Sequence, residues 1–285
     1  MKEAPLLITM DNDPNDDAKR FFKTLESNQW DYRHIGGGTE WVNFLERARL
    51  YLNELNIISK DDPDKIVVIS DCRDVLCVRE PSQFIRAFKT FKKDIVASSE
   101  IFCAGSPIYD GRTDSNCLGS EKYWKDLGVS NPPARQYINA GLISGRAEGL
   151  KSMFAWIVEK GDKFGCLDDQ VLMGLYLNNH SDKIALDYKA DLLHTTTFGV
   201  GCGYISESQL HDSPTIAEIL GRGAFFIHIP GSRMGKGNSV VYDATATLIE
   251  AGFNQRSLMN VYELDQELPY GIYKHANAQP ININK

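Results

Sequence analysis

The sequence predicts an α/β sandwich built on a largely parallel sheet. Three observations carry that expectation. Short apolar runs of strand length, "APLLITM", "KIVVIS", "IVASSEIF" and "QYINAGLISG", recur along the chain. Stretches with apolar residues at helical spacing, such as "SQFIRAFKTFKKD" and "AEGLKSMFAWIVEKG", alternate with them, which is the pattern of a parallel sheet covered by helices. At 285 residues and 42% hydrophobic composition the chain can bury a large core. One generous domain over 1–285 is expected, with a core at about 5–238, a helical extension at about 239–275 and a polar tail at 276–285.

In order, "APLLITM" reads as a buried strand, and "DNDP" supplies a cap and a proline at the first turn of a helix ending near Ser27. A short strand near "YRHI" leads to the glycine run 36–38. A helix follows with Thr39 as its cap and Val42, Leu45, Leu50 and Leu55 along its apolar side. Residues 65–70 form the next strand, then come the amphipathic helix "SQFIRAFKTFKKD" and the strand "IVASSEIF". From about Cys103 to Arg135 the chain is rich in Gly, Ser, Asn and Pro, as in a functional loop or lid. "QYINAGLISG" restores a strand pattern. The helices "AEGLKSMFAWIVEKG" and "DDQVLMGLYLNN" follow, then short strands near "KIALD" and "AFFIHIP", and a helix at about 240–251.

A formal charge of −7 argues against a protein that wraps nucleic acid with its whole surface. The six cysteines (Cys72, Cys77, Cys103, Cys117, Cys166, Cys202) form no C-x-x-C pair and no zinc-spaced cluster, so buried free thiols are expected. No apolar segment approaches the length of a bilayer span, and "MKEAPLLITMDND" lacks the basic start and long apolar centre of a signal peptide. The expected location is the cytoplasm.

Five constellations carry chemistry. "KIVVISDCRDV" runs an apolar strand into Asp71 and Asp74, three residues apart. Ligands gather at the carboxyl ends of strands in open α/β sheets, and two carboxylates on one turn can hold a hard divalent cation; a solvated turn is the plainer alternative. A haloacid-dehalogenase type of phosphotransferase also has aspartates there, but at D-x-D spacing. "GGG" at 36–38 could admit a phosphate or simply turn the chain. In "YINAGLISG", Asn139 and Gly141 offer a polar side chain and bare backbone for sugar hydroxyls, or a turn. In "CLDDQVLM", Asp168 or Asp169 caps a helix whatever else it does. "AFFIHIPGSRMGKG" ends a strand in His228 and follows it with Gly231, Arg233 and Lys236, where imidazole suits Mn²⁺ and the cations suit a diphosphate.

Taken in order, from about residue 5 to 238, these motifs resemble the N-terminal glycosyltransferase domain of the procollagen lysyl hydroxylases and their viral relatives. The parallels are "ISDCRDV", "VASSEIFC", "YINAGLISG", "LDDQVLM" and "IHIPG". Glycogenin-like transferases share the same succession more distantly. The resemblance implies the GT-A (nucleotide-diphospho-sugar transferase) fold, a single Rossmann-like α/β/α sandwich. It also implies a retaining transferase that moves sugar from a UDP-sugar to a hydroxyl acceptor. Asp71, Asp74 and His228 would bind Mn²⁺ or Mg²⁺. Thr9, Asp71, Arg73, Asn139, Gly141, Gly231, Arg233 and Lys236 would hold the donor, with Thr9 near the nucleoside. Asp168 and Asp169 would face the sugar as the catalytic pair.

This chain departs from the family at four places. It has Arg73 where relatives place an aromatic residue between the aspartates, Ala104 for an aromatic after "FC", Glu40 for a basic residue after the glycine run, and Met234 for a lysine beyond the histidine. A bacterial or viral enzyme of this kind would act in the cytoplasm on saccharide, protein or the hydroxymethylated bases of phage DNA. Arg86, Lys89, Lys92 and Lys93, with Arg222, Arg233 and Lys236, could guide a polyanion, or be ordinary solvated charge. A nucleotide-sugar binding protein without transfer, and a metal-dependent phosphohydrolase, are the alternative readings.

Overall fold

The computed structural model describes residues 4–100, 115–133, 135–195 and 223–230. The chain runs β1 (Leu6–Met10), α1 (Asp16–Ser27), β2 (Asp31–Ile35), α2 (Phe44–Asp61), β3 (Ile66–Ser70), β4 (Val75–Cys77) and a 3-10 turn (Pro81–Gln83). It continues with α3 (Phe84–Thr90), β5 (Ile95–Glu100), α4 (Ser115–Asp126), β6 (Tyr137–Arg146), α5 (Ala147–Phe164), α6 (Asp169–Asn179), β7 (Ile184–Asp187), β8 (Leu193–Thr195) and β9 (Phe226–His228).

A six-stranded sheet has the order β2-β1-β3-β6-β5-β7. Its strands share one direction except β6, which is antiparallel to both β3 and β5. A second sheet, β4-β9-β8, is absent from the expected architecture. Its strands are three residues long, too short for period-two alternation to register.

Successive side chains of a strand point to opposite faces, and the two cores follow from that. Ile8, Val67, Ile69, Ile95 and Ala97 meet residues of α2, α4, α5 and α6 on one face. Leu7, Ile66, Val68 and Val96 meet α1, α3 and the small sheet on the other, where Phe21, Phe84 and Phe226 are fully buried. The result is the expected three-layer sandwich, with a sheet forming part of one outer layer.

Local chemistry places the helix starts. Asn15 caps α1 by accepting from the amides of Asp17 and Ala18 at 3.1 and 3.0 Å, so Pro14 precedes the cap instead of occupying the first turn. The start of α2 also differs from expectation. Asn43 caps it, accepting from the Glu46 amide at 2.9 Å in an N-x-x-E arrangement. Thr39 instead bonds to the Gly36 carbonyl at 2.6 Å, in a turn where Gly36 and Gly38 have φ of 84° and 76°. Val42 therefore lies outside the helix, 63% exposed. Lys92, at φ 53°, lies in the turn that separates α3 from β5. Within the expected loop at 103–135, α4 forms; residues 101–114 and the helix expected at about 240–251 lie outside the described residues.

Candidate metal centre and active site

The turn at 71–74 carries the chain from one sheet to the other. Asp71 directly follows β3, and Asp74 directly precedes β4. Across the small sheet Val75 pairs with His228, and the Ile229 amide donates to the Asp74 carbonyl at 2.8 Å. A histidine 154 positions downstream is thereby set beside the acidic turn. Ligand atoms of Asp71, Asp74 and His228 all lie within 4.8 Å of one another. His228 Nε2 is 3.5 Å from Asp74 Oδ1 and 3.7 Å from Asp71 Oδ2, and it has no hydrogen-bond partner among the described residues. Burial opposes charge on this imidazole, but Asp74 and Asp71 outweigh it and raise its pKa.

β6 supplies the support. The register between β5 and β6 shifts between Ala97 and Ser99, and the Asp71 amide donates to the Gly141 carbonyl at 2.8 Å. Asn139 Oδ1 accepts from the Gly141 amide and pairs with His228 Nδ1, both at 2.9 Å. A Cβ on Gly141 would come within 2.2 Å of His228 Cε1 and 2.6 Å of Nδ1. Asn139 and Gly141, expected to face the donor, both also meet the histidine.

Arg47 was not legible as a site residue in the sequence. From the first turns of α2 its Nε and Nη2 donate to Asp169 Oδ2 at 3.0 and 2.7 Å, and its Nη1 donates to Asp71 Oδ1 at 2.5 Å. The Leu45 amide donates to the Leu167 carbonyl at 3.1 Å, joining the start of α2 to the segment that begins α6. Burial would neutralise the guanidinium, but Asp169 and Asp71 outweigh it and raise its pKa. Burial pushes the Asp169 carboxyl up to about 6, with Arg47 pulling the other way. With Oδ1 of Asp71 taken by Arg47, Oδ2 is the Asp71 oxygen nearer His228.

The other expected residues fall as follows. Asp168 Oδ1 caps α6, accepting from the amides of Gln170 and Val171 at 3.0 and 3.2 Å. Arg73 holds Asp11 through two 2.8 Å bonds and reaches the Asp13 carbonyl at 3.0 Å, while its side chain stays 47% exposed. Burial alone would raise the Asp11 pKa, but Arg73 and the Asp13 amide bring it below the usual range. Thr9 is fully buried and its hydroxyl donates to the Ser70 carbonyl at 2.9 Å, so its side chain stiffens the strand end below the site. Gly231, Arg233 and Lys236 lie outside the described residues. Cys72, Cys77 and Cys166 are buried free thiols, and burial pushes Cys72 up to about 12.

Of the basic group, Lys89, Lys92 and Lys93 sit away from the triad, whereas Arg222, Arg233 and Lys236 lie outside the described residues. Lys89 lies in the last turn of α3 and Lys92 and Lys93 precede β5, whereas Glu100, at the other end of β5, lies beside Asn139. A six-residue strand at about 3.3 Å per residue separates the two ends. Lys93 Nζ donates to the carbonyls of Ser181 and Asp182 at 3.1 and 2.8 Å. Neutralising Lys89, Lys92 and Lys93 together is expected to leave transfer unchanged from low to high salt. A flattened salt dependence in the triple variant would return the patch to acceptor binding.

Comparison with known proteins gives a family model described as the PLOD GT domain, which matches residues 1–197. No curated protein sequence matches the chain. Among solved structures, a glycosyltransferase involved in glycosylation of the major capsid of PBCV-1 has 12% identity and a TM-score of 0.42, covering 80% of this chain and 93% of that one. The WbbM bifunctional glycosyltransferase has 14% identity and a TM-score of 0.45, over 81% of this chain and 46% of that one. Mouse xyloside xylosyltransferase 1 has 13% identity and a TM-score of 0.37, over 75% and 72%. Among the described residues no helix is long and apolar enough to cross a membrane.

Proposed function

We propose that this chain, which belongs to the PLOD GT (glycosyltransferase) domain family and has the GT-A fold, is a divalent-metal-dependent enzyme that moves a sugar from a UDP-sugar to a hydroxyl acceptor. The observation that carries the metal reading is the triad of Asp71, Asp74 and His228, with a buried imidazole nitrogen turned toward two carboxylates and glycine clearing space for its ring. His228 lies beyond the family match at 1–197, so its place in the triad rests on geometry. Oxygen donors with one imidazole suit Mn²⁺ or Mg²⁺. Bound there, such an ion would neutralise charge on the departing nucleoside diphosphate.

The protein's own groups surround that step. We assign Asp169, held by two guanidinium nitrogens of Arg47 whose third goes to Asp71, to the donor sugar. Asp168, whose Oδ1 caps α6, orients that helix start and is the weaker catalytic choice. Arg73, partly exposed in the turn while bonded to Asp11, is our candidate for the nucleoside side of the donor in place of the family's aromatic residue. Thr9, Asn139 and Gly141 act from beneath, through the strand end and the histidine. Gly231, Arg233 and Lys236 remain candidates for the diphosphate by sequence position. The lysines at the far end of β5, away from the triad, support a saccharide or a protein hydroxyl as acceptor over a polyanion.

Asp74→Ala is expected to abolish Mn²⁺-dependent UDP binding while leaving the melting temperature nearly unchanged, because the side chain is 21% exposed and no core volume is lost. His228→Ala should lose the same binding but also some stability, since His228 is 3% exposed. Calorimetric titration with Mn²⁺ and UDP checks both, and unchanged metal affinity in both variants would remove the triad. UDP release with saccharide and peptide acceptors separates transfer from binding alone. Stabilisation by UDP with Mn²⁺ separates both from a phosphohydrolase.

A further inference from the structure

Glu100 ends β5 as the sixth of six buried residues and is itself 2% exposed. Its Oε1 accepts from Asn139 Nδ2 at 3.1 Å and Gln170 Nε2 at 2.8 Å. Both amides are locked from their other ends by backbone donors. The Gly141 amide requires that the Asn139 atom facing it be oxygen, and the Ala140 amide requires the same of Gln170 at 3.0 Å. Neither side chain can turn over without setting N–H against N–H in a buried place, which leaves a donor unmet.

The consequence reaches the histidine. Asn139 Oδ1 accepts only, so His228 Nδ1, 2.9 Å away, must carry the proton. In the neutral ring that leaves the lone pair on Nε2, the nitrogen turned toward Asp71 and Asp74. We propose that Glu100 is a positioning residue which, through Asn139, holds His228 in the Nδ1-protonated tautomer and so sets the divalent-metal affinity of a centre it does not touch. The proposal rests on the metal reading above for its affinity claim, and on hydrogen-bond geometry alone for its tautomer claim. Hydrogen-bond partners behind a metal-bound histidine typically change affinity by about 10- to 100-fold when removed.

Both donors converge on one oxygen, which allows orientation to be separated from charge. Glu100→Gln can keep an oxygen in that place and lose only the charge. Glu100→Met removes the acceptor, so Asn139 either keeps an unmet buried donor or turns over and presents N–H to His228. ¹⁵N-detected imidazole spectra of the metal-free protein, taken where the ring is neutral, should show Nδ1–H in the wild type and in Glu100→Gln. In Glu100→Met they should show a mixture or the Nε2–H form. Mn²⁺ titration should find Glu100→Gln within a few-fold of wild type and Glu100→Met weaker by about 10- to 100-fold.

Wild-type protein in the Nε2–H tautomer overturns the proposal whatever the variants do, which keeps it testable should Glu100→Met fail to fold. Equal loss of affinity in Glu100→Gln and Glu100→Met also overturns it, because charge and not orientation would then be the cause. If the wild type binds no Mn²⁺ or Mg²⁺, the metal reading fails, and the tautomer spectra still decide the role of Glu100.

Discussion

Arg47→Met should lower the unfolding free energy by about 3–5 kcal/mol near neutral pH, the usual cost of stripping one partner from a buried ion pair. The guanidinium spans Asp169, whose side chain is 4% exposed, and Asp71, whose side chain is 26% exposed. Methionine fills much of the space, so packing contributes little to the loss. The variant must then fold around Asp169 without its cation, and burial already pushes that carboxyl up to about 6 with Arg47 present. Without Arg47 its folded pKa rises further above the unfolded value. A carboxylate shifted that way favours the fold at low pH and loses the contribution as pH rises through the folded pKa. The deficit against wild type is therefore expected to be larger at about pH 8 than at about pH 5. Urea unfolding at both values checks this, and a deficit independent of pH would assign the loss to packing. Arg47→Lys should fall between, because one ammonium cannot meet Asp169 with two nitrogens and Asp71 with a third.

Gly141→Ala should remove metal binding almost entirely while leaving the secondary structure in place. The new methyl would stand 2.2 Å from Cε1, 2.6 Å from Nδ1 and 2.8 Å from Nε2 of His228. The ring has nowhere simple to go, since Asn139 holds Nδ1 and β9 is tied to the turn through the Ile229 amide. Overpacking of this kind costs about 1–3 kcal/mol. Two comparisons separate the site from the fold. Gly145→Ala, on the same strand, would meet the Asp94 carbonyl at 2.7 Å and should lose stability without losing metal affinity. In a His228→Ala background the Gly141→Ala change should cost little, because the atoms it strikes are gone. Additive losses in that double variant would mean that the methyl is resisted by something other than the imidazole.

Much of this architecture could be read in the residues themselves. Apolar runs and helical spacing located the strands that became β1, β3, β5 and β6 and the helices α1, α2, α5 and α6. The acidic turn at 71–74, Asn139, Gly141, the Asp168–Asp169 helix start and the histidine ending "FIH" each stood out by local context. Asn43 with Glu46 is also a cap pattern in the sequence, although the glycine run at 36–38 makes Thr39 look like the helix start. Glu100 left a signal as well, an acid closing a strand with no other charge in its last five positions.

Tertiary structure decided what those residues do. Arg47 looks in sequence like any charged residue on a surface helix; only the packing of α2 against α6 brings it to an aspartate 122 positions away. The acidic turn became a bridge between two sheets because β4 pairs with β9, and that register is what seats His228 beside Asp74. Asn139 and Gly141 meet the imidazole because β6 runs antiparallel between β3 and β5 and turns that face toward β9. Periodicity and capping are fixed by neighbours within a turn or two of chain. Which side chains meet across the site depends on strand order and register, set by burial of the whole sheet, so the candidate ligands were visible in the sequence while the groups that contact them emerged only when the sheets closed.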